Sequence, residues 1–174
     1  MFELKPIGTK AIPAALAKAE RYRLLNEPRE AESISRDILQ VAPDHQEALV
    51  MLLLALTDQF GKGTGVALDN PQQLIERLHD EYERAYYSGV ILERWGKSLG
   101  GGGAPSYVGC DWLREAMKSY QAAEAIRPAD NDDAILRWNT CARIIRMEAP
   151  KERGDPRVSS ADPDPSAGDD VPIL

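Results

Sequence analysis

Apolar residues recur along this chain at intervals of three and four, and the recurrence stops and restarts at prolines and glycines. Ile12, Ala15, Leu16, Ala19 and Tyr22 form the first such stripe, a spacing that puts side chains on one face of an α-helix. It predicts a helix from Ile12–Pro13 to about Leu25, with Pro13 placed early, where its missing N–H costs nothing. Asn26 and Pro28 break that run. A second helix is expected from about Glu27 to Val41, and Pro43 turns the chain again. The third, His45 to about Phe60, carries Ala48, Leu49, Leu52, Leu53 and Leu56. It is apolar on nearly every side, so it should be packed on both flanks.

The stretch Gly61–Gly65, GKGTG, then interrupts the pattern. A phosphate-cradling loop needs GxxxxGK[ST] after a strand; here the spacing is wrong and a helix precedes, so a flexible turn is expected. Asn70 as N-cap, Pro71 in the first turn and Gln73 as a capping-box partner predict a short helix ending near His79–Asp80. A longer helix is expected from Tyr82 to about Leu99. Its central Gly89 costs about 1 kcal/mol against alanine, a cost that makes sense where a neighbouring helix must come close. The glycine run from Gly100, continuing to about Gly109, reads as a loop. A helix capped by Asp111 should then run to Arg127. Asp130 or Asn131 should cap a last helix bearing Ala134, Ile135, Trp138, Cys141, Ile144 and Ile145. From Ala149 the chain is rich in Pro, Asp, Ser and Gly, and residues 149–174 are expected to be an acidic disordered tail.

Two of these helices end alike. Ala116, Tyr120, Ala123 and Pro128 repeat the offsets at which Ala31, Ile38 and Pro43 stand, and a repeat changes the reading of the whole chain. The spacing resembles the tetratricopeptide repeat, a helix–turn–helix unit of about 34 residues. Ala19, Tyr22, Ala31, Ile38 and Pro43 match its small, large apolar and proline positions, although Ser35 and Lys18 are polar where the repeat is apolar. A second unit, about 46–81, has Leu49, Leu52, Leu53 and Leu56 in place, with His79 where proline would stand. A third, about 82–130, has Ala85, Gly89 and Leu92, then Ala116, Tyr120, Ala123 and Pro128 after the glycine-rich insertion. Residues 131–148 would be the capping helix. The resemblance covers roughly Ile12 to Met147. It implies one all-α domain over 1–148, a right-handed superhelix of antiparallel helix pairs.

In that family the first helices of the pairs line a concave surface that binds peptides. Carried over position by position, the resemblance assigns that surface to Leu16, Glu20 and Arg23, then Val50, Leu54 and Thr57. It continues with Tyr86, Val90, Glu93 and Arg94, and ends with Ile135, Asn139 and Arg143. This is an apolar floor with an aromatic and several arginines, suited to a peptide whose carboxylates the arginines would pair. Family members that grip chaperone C-termini use lysines and asparagines at set groove positions; only Asn139 fits here, so that partner is not implied. The implied function is a non-catalytic protein-interaction module, with no cofactor. Self-assembly through the terminal helices into a homo-oligomer is one alternative, and a thiol-based sensor or enzyme centred on Cys110 is another.

Composition narrows the remaining classes. A net charge of −7 and a pI near 4.9 argue against coating nucleic acid or anionic membrane. The opening MFELKPIGTK has no apolar run of signal-peptide length, and nothing approaches the ~20 apolar residues of a membrane span; a soluble, cytoplasmic protein is expected. Cys110 and Cys141 form no CxxC, which fits a reducing compartment and neither disulfide nor zinc. Cys110, close to a helix start beside the glycine run, is the one candidate for a reactive, exposed thiol. Cys141, on an apolar face, reads as packing. His45 and His79 fall at turns and read as solvated. Trp95 and Trp112 flank the glycine-rich insertion and are expected to pin its ends.

Overall fold

The computed structural model describes residues 2–100 and 106–148, and the expected tail 149–174 lies outside them. The described residues form an all-α chain without strands: α1 (Ile12–Leu24), α2 (Pro28–Val41), α3 (Gln46–Thr57), α4 (Asp69–Ile75), α5 (Glu81–Ser98), α6 (Tyr107–Ala125) and α7 (Asp133–Glu148). No described helix is long and apolar enough to cross a membrane. Each helix packs on the next, and the short connections at Leu25–Glu27 and Ala42–His45 make those neighbours antiparallel. The odd-numbered helices also touch one another, α1 against α3 and α3 against α5.

The apolar stripes bury as their spacing predicts. Ile12, Ile38 and Ala48 join α1, α2 and α3 in one cluster, and Ala19, Ala31 and Ala55 meet in a second. Three alanines at one crossing leave no side chain to hold the helices apart. Seven of the twelve residues of α3 are buried, so it is packed on both flanks as expected. Its leucines join Phe60, Leu74, Leu78 and Ile91 in the largest cluster, where Trp95 meets Phe60 edge-on at 5.1 Å between centroids. Burial of these side chains supplies about 1.5–3 kcal/mol each.

Contact between α5 and α6 is closest at the glycines. A Cβ on Gly89 would lie 2.5 Å from Tyr120 Cε1, and one on Gly96 would lie 2.7 Å from the Gly109 carbonyl. These glycines, seven apart and so on one face, let two helices approach nearer than any other residue allows. Val90, Leu113, Ala116, Tyr120, Ala123, Ala134 and Cys141 then close a cluster across α5, α6 and α7. The GKGTG stretch is a turn: Gly61, Gly63 and Gly65 all have positive φ, between 68° and 78°.

Two helix starts differ from expectation. Helix α6 begins at Tyr107, because Ser106 Oγ accepts from Gly109 N at 3.1 Å and caps it; Asp111 is an ordinary residue of its second turn. Asn70 does not cap α4. It lies inside that helix and its Oδ1 accepts from Ala67 N at 2.8 Å. The cap of α5 is Asp80, which accepts from Glu83 N.

Candidate functional site

Helices α1, α3 and α5 together line one cleft of about 450 Å³. Each contributes an apolar residue and a glutamate about one turn apart: Leu16 with Glu20, Val50 and Met51 with Glu47, and Tyr87 with Glu83. This i, i+3 or i, i+4 pairing aims both side chains the same way. Of the groove residues expected from sequence, Leu16, Glu20 and Val50 lie in this cleft. Tyr87, Glu47 and Glu83 join them unforeseen.

Further along α1 and α5 two of the expected arginines, Arg23 and Arg94, are already committed. Arg23 Nε donates to Asp58 Oδ2 at 2.7 Å, and Arg94 Nη1 donates to Asp58 Oδ1 at 2.6 Å. Arg94 also donates to Thr57 Oγ1 at 2.6 Å and to the Leu54 carbonyl at 3.2 Å. One carboxylate thus ties α1, α3 and α5 together. Arg23 and Arg94 brace the fold instead of offering free donors. Burial weakens the hold of the Arg94 guanidinium on its proton, against the pull of Asp58. Leu54 sits half-buried between the two large clusters.

Two more expected groove residues are core. Val90 is packed in the α5–α6–α7 cluster, and Glu93, 1% exposed, is the hub of a buried network. Tyr120 Oη donates to Glu93 Oε2 at 2.5 Å, Arg137 Nη1 donates to both carboxylate oxygens at 3.2 and 3.3 Å, and Lys97 Nζ donates to Oε1. Burial pushes the Glu93 carboxyl upward. The hydrogen bonds from Lys97 and Tyr120, with the charges of Lys97 and Arg137, outweigh that and hold it below its ordinary value. Burial, then the same carboxylate, pushes the Tyr120 hydroxyl well up and the Cys141 thiol up to about 12. These are structural groups locked into single protonation states.

Beside this hub lies a second, smaller cleft of about 310 Å³ lined by Tyr86, Glu93 itself, Lys97 and, from α7, Asp133, Leu136, Arg137 and Thr140. Tyr86 is therefore at a cleft as expected. Ile135 and Asn139 are not, and both are half-buried on other faces; Arg143 is exposed. The cleft-lining Leu136 and Thr140 each stand one residue, about 100° of helix turn, from Ile135 and Asn139.

Cys110, expected as an exposed thiol, is instead buried in the first turn of α6. His79 is exposed with Nε2 3.1 Å from Asp44 Oδ2, while His45 is half-buried. No family model, curated protein or solved structure matches this chain.

Proposed function

We propose that this chain is a non-catalytic interaction module, a solenoid of tetratricopeptide-like helix pairs that holds a protein or peptide segment along its inner face. The observation that carries this reading is the cleft shared by α1, α3 and α5. The first helix of each suggested pair contributes to one concave, half-apolar surface, while α2 and α6 pack behind. A floor of Leu16, Val50, Met51 and Tyr87 offers burial to apolar side chains of a guest. Tyr87, with its hydroxyl pushed up to about 12 by burial and Glu83, stays neutral and presents a ring to stack on and an O–H to donate.

Panning a displayed random-peptide library against the full chain tests this reading. Selected peptides should slow amide exchange along α1, α3 and α5, and should lose affinity on Val50→Ser. Failure to enrich any sequence, or protection confined to α2 and α6, would sink it.

A further inference from the structure

Charge on the inner face is unevenly spent. Its cations are neutralised from within: Arg23 and Arg94 share Asp58, and Lys97 and Arg137 share Glu93. Glu20, Glu47 and Glu83, by contrast, form no ion pair among the described residues, and all three rim the apolar cleft between α1, α3 and α5. Each comes from a different helix, so the cleft is encircled by negative charge. We infer that the guest of this cleft is a cationic segment, with lysine or arginine side chains reaching the glutamate rim and apolar side chains between them on the floor.

This inference rests on the groove reading and reverses the charge that the resemblance implied, since Arg23 and Arg94 are held on Asp58 and no cation lines the cleft. Three features support the assignment. A carboxylate peptide laid in the cleft would meet three like charges and no uncommitted cation. Arg23, about one turn beyond Glu20, is fixed on Asp58 at 2.7 Å. Burial and the neighbouring Asp80 raise the Glu83 carboxyl above its ordinary value, the behaviour of an acid lacking a counter-charge. A cation arriving there would relieve this.

The test uses the full chain and three short capped peptides with one leucine pattern, differing only in whether lysine, serine or glutamate stands between the leucines. Fluorescence anisotropy at low and high salt reads the affinity. The lysine peptide is expected to bind about tenfold more tightly than the serine peptide at low salt, as a few exposed ion pairs provide, and the advantage should fade at high salt. Glu20→Gln, Glu47→Gln and Glu83→Gln together should reduce the ratio to within about twofold, with unchanged circular dichroism. Equal or tighter binding of the glutamate or serine peptide, still weakened by Val50→Ser, would overturn the charge assignment and leave the groove reading standing. No binding of any peptide, or binding indifferent to Val50→Ser, would overturn both.

Discussion

Two of the clefts of this molecule differ in what their charged residues are free to do. At the α5–α7 cleft, Lys97 and Arg137 converge on a carboxylate that also takes the Tyr120 hydroxyl. At the α1–α3–α5 cleft, three carboxylates stand around an apolar floor with nothing paired to them among the described residues. In the first, removing the carboxylate leaves buried partners unpaired; in the second it strands no ion-pair partner among the described residues. Being on a surface-facing helix position therefore does not make a charged residue a binding residue. What decides is whether its partner is already inside the protein.

The sharpest way to break this contrast is at the hub. Glu93→Ala leaves the buried Tyr120 hydroxyl unsatisfied and Arg137 without its carboxylate, so urea unfolding should show a loss of about 3 kcal/mol. A loss under about 1 kcal/mol would mean the network is not structural. Glu93→Gln carries a pH signature as well. The folded chain holds the Glu93 carboxyl below its ordinary value, so its contribution is fully present above the unfolded pKa of about 4.3 and is lost as pH falls through the lower folded value. The stability gap between wild type and Glu93→Gln should thus hold constant from neutral pH to about 5 and narrow below about 4. A gap that widened in acid would give the shift the wrong sign.

Gly89→Ala comes next. Alanine gains about 1 kcal/mol of helix propensity, but its Cβ would meet the Tyr120 ring at 2.5 Å. That ring cannot swing away, being fully buried and held on Glu93. Overpacking should win, for a net loss of about 1–2 kcal/mol; a stabilised variant would show that α5 and α6 are less tightly apposed. Asp58→Asn is smaller, because its two ion pairs are partly exposed. About 1 kcal/mol should be lost, and amide exchange should rise at the α1–α3 and α3–α5 contacts together. Loosening confined to one of them would refute the shared brace.

How much of this was legible in the chain varies with the physical signal. The starts and ends of α1, α2, α3 and α5 fall within a few residues of expectation because prolines, a strong apolar period and tight turns mark them. The first turn of α6 was hidden, since Tyr107, Val108 and Gly109 have poor helix propensity and follow a run of glycines; the Ser106 cap was the clue. On α7 the apolar spacing was visible, and so was Asn131 at its start, whose Oδ1 accepts from Asp133 N at 3.0 Å; which face turns to the cleft was not. The burial of Glu93 was illegible by composition, although Lys97 four residues on marks a pairing that a buried acid needs. Glu47 and Glu83 were within reach. Each stands one turn from an apolar groove residue, as Glu20 does from Leu16, and that recurrence in alternate helices is the cleft written in sequence.

The most direct measurement follows the side-chain carboxyl carbons of the full chain by NMR while the lysine–leucine peptide is titrated in. The carboxyl signals of Glu20, Glu47 and Glu83 should move with one common affinity while those of Asp58 and Glu93 stay in place. Movement of Asp58 or Glu93 with a silent rim would contradict the account, placing the guest on the charges assigned here to the fold.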